Sequence, residues 1–195
     1  MDLPQRAWRR LLHARPPEWV CLHCRAVAGL AAAMCTRAER QGLPVQRDVA
    51  VAGALLHDIG RSVTQDIRHA TLGAAMLRQD AAQGSTWPEA VVLAVERHTG
   101  AGIDAQEAEA LRLPVRDYTP RSLEERIVAH ADNLYSADRR LTLDAVQAKY
   151  EAKRLPEAWE KVRRLHEALE AQLGVDLDAL RPEELDLEPA PAERT

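Results

Sequence analysis

An all-α fold follows from three features of the chain: an interior that small aliphatic side chains must fill, apolar positions that recur at helical spacing, and proline or glycine at nearly every break between such stretches. Hydrophobic residues make up 46% of the 195 residues but aromatic residues only 4%, with no Phe. Ala, Leu and Val must therefore build the core, which suits closely packed helices better than a sheet drawing on aromatic and β-branched residues. The length allows one substantial core, so a single domain over 1–180 is expected, with a tail beyond it.

The elements follow in order. Residues 4–14 form a short basic amphipathic piece that Pro16-Pro17 ends. From Trp19 to Gln41, Leu22, Ala26, Val27, Leu30, Ala33 and Met34 step by three and four, and Gly42 and Pro44 supply the stop. Asp48 reads as the N-cap of the apolar run Val49–Leu56, whose Ala and Leu content favours helix over buried strand. Helices over 66–83 and 89–97 come next, closed by Gly84-Ser85 and by Gly100 and Gly102. Gly102, Pro114 and Pro120 break the pattern over 100–120, which reads as a long loop with one helical turn at 105–111; loops of that length are often functional. Ser122 and Glu125 form a capping box for the helix Leu123–Leu134. A C-terminal helix over 142–172, bent at Pro156, carries the stripe Val146, Tyr150, Trp159, Val162, Leu165, Leu169 and Leu173, which suggests a homodimer. The acidic, proline-bearing stretch 181–195 is expected to stay disordered outside the core.

Charge and cysteine usage narrow the function. The 26 basic and 30 acidic residues are interspersed and sum to a net charge of −4, which gives a nucleic-acid polymer no electrostatic support as a partner. No apolar run approaches the ~20 residues that cross a bilayer, and the N-terminus lacks the apolar stretch of a secretory signal, so a cytoplasmic location is expected. Cys21, Cys24 and Cys35 are odd in number, which fits a reducing compartment. Cys21-x-x-Cys24 has no second pair, and both read as small residues near a helix start.

The chemistry lies in the histidines, five of which (23, 57, 69, 98 and 130) fall in the stretch 23–130. In His57-Asp58-Ile59-Gly60, an imidazole and a carboxylate on neighbouring residues can ligate one cation if the backbone turns sharply, and Gly60 gives the chain that freedom. Such N/O donors suit Fe, Mn, Co, Ni, Zn or Mg. His130 shares a helix with Asp132 but points about 200° away from it, so a supporting or surface role is expected. His13 and His166 read as solvated.

With an upstream His23 and a downstream Ala131-Asp132, the sequence resembles the HD-domain superfamily of metal-dependent phosphohydrolases over roughly residues 19–137. That resemblance implies an HD-type helical bundle in which His23, His57, Asp58 and Asp132 ligate a metal. His69 in Arg-His-Ala-x-x-Gly-Ala and His98 in Glu-Arg-His-Thr-Gly are similar to the extra histidines of members with a second metal. These resemble HDIG-type cyclic phosphodiesterases, among them an archaeal enzyme acting on a pterin 2′,3′-cyclic phosphate. Two divalent ions about 3.5–4 Å apart, bridged by Asp58, are the expected cofactor. A small phosphate mono- or cyclic diester of nucleotide or pterin type is the expected substrate, hydrolysed by metal-activated water. The resemblance leaves open a di-iron oxygenase and a nucleotide-binding domain without turnover. The chain departs from some relatives in having Trp19 where they have Glu and Arg61 where they have Lys. Arg61 and Arg121 are the candidate phosphate-binding cations.

Overall fold

The computed structural model describes residues 2–188, and Met1 and 189–195 lie outside the described residues. Helix α1 (Leu3–Ala14) is capped by Asp2, which accepts the Gln5 N–H at 2.8 Å, and it buries Ala7, Trp8 and Leu11. Helix α2 (Glu18–Arg40) and helix α3 (Arg47–Leu56) form the centre of the bundle. Every residue from Val49 to Leu56 is buried, because α1, α2, α5 (Glu89–Glu96) and α7 (Leu123–Asn133) surround α3. An all-round apolar helix is what such a position requires. Asp48 is not the cap of α3: the helix starts at Arg47, and the buried Glu124 carboxylate accepts the Gln46 N–H at 2.7 Å.

A short 3-10 turn, Ile59–Ser62, links α3 towards α4 (His69–Gln79), and a second, Asp80–Gln83, ends the stretch read as one helix over 66–83. The 99–120 segment is more ordered than a loop. Asp104 and Glu107 form a capping box on α6 (Ala105–Ala110), and Ile103, Ala108, Leu113 and Tyr118 bury one another in a small separate cluster. At α7, only half the expected capping box forms: Ser122 accepts the Glu125 N–H at 3.2 Å, while the Glu125 side chain takes the Arg121 N–H and Arg97, each at 2.9 Å.

Three further features depart from the sequence reading. A hairpin, β1 (Tyr135–Ser136) and β2 (Arg139–Arg140), follows α7 directly. The expected long C-terminal helix is two, α8 (Leu143–Ala152) and α9 (Pro156–Leu173), separated by Arg154 in the left-handed region at φ 56°. The break lets α9 turn much of its apolar stripe inward, burying Val162, Leu169 and Leu173 against α7 and α2, while Tyr150, Trp159 and Leu165 are only partly buried. Residues 181–188 join the core. The Glu183 N–H donates to the Gly29 carbonyl at 2.9 Å, Leu187 is buried, and the Trp8 indole donates to the Glu188 carbonyl at 2.8 Å. Gly29 permits this crossing, since a Cβ there would lie 2.6 Å from the Glu183 carbonyl oxygen. The disordered tail expected over 181–195 is thus corrected for 181–188; its remainder, 189–195, lies outside the described residues.

One described helix, α2, is long and apolar enough to cross a membrane, with a mean hydropathy of 1.4 over its best window. The sequence reading that no apolar run approaches that length is too strong. What accounts for the apolarity of α2 is its place in the core, where Val27, Leu30 and Met34 are fully buried.

Candidate metal centre

The ends of four helices and one site within α2 bring six side chains together. His57 caps α3, Asp58 follows it, His69 opens α4, His98 lies just past α5, Asp132 is in the last turn of α7, and His23 projects from α2. Helix ends leave carbonyl oxygens without partners, and the histidine rings use them. The Nδ1 of His57 bonds the Ala54 carbonyl at 2.7 Å and that of His98 the Val95 carbonyl at 2.8 Å, each three residues back. The other two rings bond carbonyls elsewhere: His69 Nδ1 that of Asp66 at 2.7 Å, just ahead of α4, and His23 Nδ1 that of Ala137 in the hairpin turn at 2.6 Å. A carbonyl can only accept, so each Nδ1 carries the proton. In the neutral ring that leaves a lone pair on Nε2, which is the tautomer a metal needs.

Every Nε2 points inward. His23 and His57 meet at 3.1 Å, as do His69 and His98. Asp58 divides between the two pairs. Its Oδ2 lies 3.8 and 3.7 Å from His23 and His57, and its Oδ1 lies 3.2 and 3.7 Å from His69 and His98. Asp132 Oδ1 stands 2.9 Å from His23 and 3.6 Å from His57. His23–His57–Asp58, His57–His98–Asp132 and Asp58–His69–His98 each offer ligand atoms within 4.8 Å of one another.

The second pair gives the strongest test of fit. Burial pushes His98 down to about 3, helped by His57 and His69, and burial likewise lowers His69. Both rings are therefore neutral with their protons on Nδ1, so two lone pairs face each other at 3.1 Å beside a buried Asp58 Oδ1 that has no hydrogen-bond partner. Acceptors facing acceptors in a buried site repel, and a cation between them removes the repulsion. Two nitrogens each ~2.1 Å from one ion would lie at about this separation. Burial opposes ionisation of Asp58 and Asp132, yet the neighbouring histidines outweigh it and hold both carboxyls below the usual range. Burial also opposes charge on His57, where Cys24 and Asp58 outweigh it and raise the ring well above its ordinary value.

Gly60 serves the centre in an unexpected way. Its φ is not positive, so conformational freedom is not what the position needs. A Cβ there would lie 2.0 Å from the His69 carbonyl oxygen and 2.8 Å from the Gly73 nitrogen, and only glycine lets the turn after Asp58 rest directly on α4.

Of the two candidate phosphate cations, the structure brings in one. The Arg61 Nε donates to Asp58 Oδ2 at 2.5 Å and its Nη2 lies 3.3 Å from His69 Nε2, with the guanidinium 5.9 Å from the half-exposed Trp19 ring. Arg121 stands apart: its side chain is 65% exposed and pairs with Asp117 at 3.1 Å, without a bond to the His/Asp cluster, so the expectation for it is corrected. His166 is also corrected. It is buried, its Nδ1 lies 2.9 Å from His130 Nε2, and its Nε2 lies 3.2 Å from Glu170. This pair supports α7 against α9; His130 is thus a buried supporting residue. Burial and the nearby Glu18 and Cys24 charges push the Cys21 thiol up to about 11, and burial raises Cys24, so neither cysteine is a ready nucleophile.

Asp132 is the accessible member of the centre, its side chain 25% exposed where the other five are nearly closed off. It lies on the wall of a cleft of about 520 Å³ formed by the 99–111 segment, α8 and the start of α9. Asn133 ties the cleft together by donating to the Gly100 carbonyl at 2.7 Å and accepting the Tyr150 hydroxyl at 3.3 Å. Sequence reasoning missed these wall residues and the Ala137 carbonyl behind His23.

With that geometry in view, comparison with known proteins places the chain: it belongs to the HD domain family, whose model matches residues 20–137. A tRNA (cytidine(56)-2′-O)-methyltransferase of Picrophilus torridus is 48% identical over 136 residues, covering 70% of this chain but only 38% of that relative. The chain therefore spans well under half of that relative's length. Uncharacterized protein MJ0778 of Methanocaldococcus jannaschii is 42% identical over 148 residues, 76% of this chain and 84% of the relative. Among solved structures, the HD domain of the L. monocytogenes phosphodiesterase PgpH in complex with cyclic-di-AMP aligns over 85% of this chain and 95% of that one, with a TM-score of 0.50 and 16% identity, a likeness of fold.

Proposed function

We propose that this chain is a metal-dependent phosphohydrolase acting on a small phosphate mono- or cyclic diester, with two divalent cations held by His23, His57, Asp58, Asp132, His69 and His98. The observation that carries the reading is the pair of neutral Nε2 atoms of His69 and His98 at 3.1 Å around the unpartnered Asp58 Oδ1. The division of the Asp58 oxygens between two histidine pairs supports a bridging role.

Cations bound there would activate water for attack on phosphorus and offset charge on the phosphoryl oxygens. The protein supplies the rest. The Nδ1 bonds to backbone carbonyls hold each ring in its ligating tautomer and orientation. Asp132, exposed to the cleft, sets where substrate meets the centre. Arg61 is near enough to exchange its bond with Asp58 for one to a non-bridging phosphoryl oxygen. The three free cysteines fit a reducing compartment such as the cytoplasm.

Methyl transfer is named for a relative of which this chain matches 38%, and the histidine centre supplies no group for that reaction. The tRNA in that relative's name motivates a second reading, in which the phosphate comes from an RNA end. The deciding experiment combines metal analysis of protein purified without chelator with a panel of phosphomonoesters, cyclic phosphodiesters and tRNA ending in a 2′,3′-cyclic phosphate. Metal-dependent phosphate ester hydrolysis, lost in His57→Ala and Asp58→Ala together with metal, supports the proposal. Turnover requiring O₂ would identify the oxygenase alternative, and ligand binding with no turnover the non-catalytic one.

A further inference from the structure

The chain uses lysine sparingly: of its 26 basic residues only Lys149, Lys153 and Lys161 are lysine. All three line the cleft beside Asp132. Lys149 is in the last turn of α8 and Lys153 is its C-cap, one helical turn apart and so on one face. A helix C-terminus favours cations, which accounts for positive charge here but not for lysine in a chain that otherwise relies on arginine.

The three lysines differ in what they hold. Lys161 bonds Glu107 at 2.6 Å and Asp104 at 3.5 Å, fastening α9 to the start of α6. Lys149 and Lys153 are exposed and, among the described residues, have no carboxylate partner. The lining they share with Asp132 is largely apolar, with Ile67, Ile103, Leu111, Tyr150 and Leu155. A volume of about 520 Å³ falls within the range of pockets that take one nucleotide-sized molecule. The cleft thus combines a carboxylate of the candidate centre, apolar walls for a flat ring, and two exposed ammonium groups without a carboxylate partner among the described residues. Neither lysine bonds any of the six His/Asp side chains, whereas Arg61 already does.

Resting on the phosphohydrolase reading, we propose that this cleft is the substrate pocket and that Lys149 and Lys153 bind a second anionic group, one that is retained while the phosphate at Asp132 is cleaved. The preferred substrate class is then a ring-bearing compound with two phosphate groups rather than one. Lysine suits such a task, because its mobile point charge follows a phosphate on a flexible linker where an arginine fork would demand one geometry.

The test measures binding, so it does not depend on turnover. Equilibrium titration of metal-loaded protein with adenosine 3′,5′-bisphosphate and with adenosine 3′-monophosphate gives a discrimination ratio, read in the wild type and in Lys149→Met/Lys153→Met. Metal content is measured on the same samples. The expected result is about 10-fold or tighter binding of the bisphosphate by the wild type, falling to within about 2-fold in the double variant with metal unchanged. Equal affinity for the two compounds in the wild type, or a ratio that survives the double substitution, overturns the proposal. A lysine-dependent ratio in a protein that hydrolyses no phosphate ester would keep the pocket and refute the hydrolase reading, so the two failures are separable.

Discussion

Replacing Gly60 with Ala probes the link between packing and chemistry directly. The added Cβ would start 2.0 Å from the His69 carbonyl oxygen and 2.8 Å from the Gly73 nitrogen, both backbone atoms that no rotamer change can move. Ordinary contact begins at 3.4 Å, so the start of α4 must retreat by about 1.4 Å. That is several times the ~0.2 Å tolerance of a metal–ligand distance. The cost should approach the upper range for overpacking, about 3 kcal/mol, which for a chain of this size lowers Tm by roughly 6–12 °C. Because His69 opens α4 while His23 and His57 are on α2 and α3, the loss should fall on the His69–His98 side first. Thermal unfolding and metal analysis of Gly60→Ala should thus show a lower Tm and about one metal per chain against the two proposed for the wild type. A variant with wild-type Tm and full metal content would refute the claim that this turn must touch α4.

Other expectations follow from the same geometry. His69→Ala and His98→Ala should each reduce the metal-to-protein ratio from two towards one, and an unchanged ratio would make both residues structural supports of a mononuclear site. Arg61→Ala should lower kcat/KM by about 10²-fold, roughly 2.7 kcal/mol, with metal retained, whereas Arg121→Ala, removing a surface pair with Asp117, should change it less than about 2-fold. Burial, with His57 and His69 alongside His98 and with His166 and Arg140 alongside His130, holds both His98 and His130 to about 3 in the folded chain. The unfolded chain binds those protons near ~6.5. The contribution of these two rings to the stability of metal-free protein should therefore be fully present above that pH and be lost as pH falls from ~6.5 towards ~3. Urea unfolding at pH 7 and pH 5 should show that slope, reduced by up to about one proton in His130→Leu; an undiminished slope would show that His130 is not buried in its neutral form.

Part of this site was written locally. The apolar periodicity of Trp19–Gln41 and the Ala- and Leu-rich run Val49–Leu56 determine α2 and α3 to within a residue or two, because helix formation responds to neighbours three and four positions away. The tautomers of His57 and His98 are equally local. Each ring, placed just past a helix end, meets the carbonyl three residues back that the helix leaves free. The pattern of His23, His57-Asp58 and Asp132 was likewise legible, though only as a resemblance.

What spacing could not decide is which side chains meet across the bundle. His23 and Asp132 are 109 residues apart in sequence and 2.9 Å apart in space, a distance set by how α2 and α7 pack on α3. The same packing assigns Arg61 to the centre and leaves Arg121 on the surface with Asp117. It buries His166 against His130, and lays residues 181–188 over Gly29 despite their acidic, proline-bearing composition. Composition measures what a segment could bury by itself, but docking depends on the groove that other helices leave open. Three lysines scattered over thirteen positions carry no local signal of a shared pocket; only the break at Arg154, which folds α9 back against α7, makes them neighbours around one cleft.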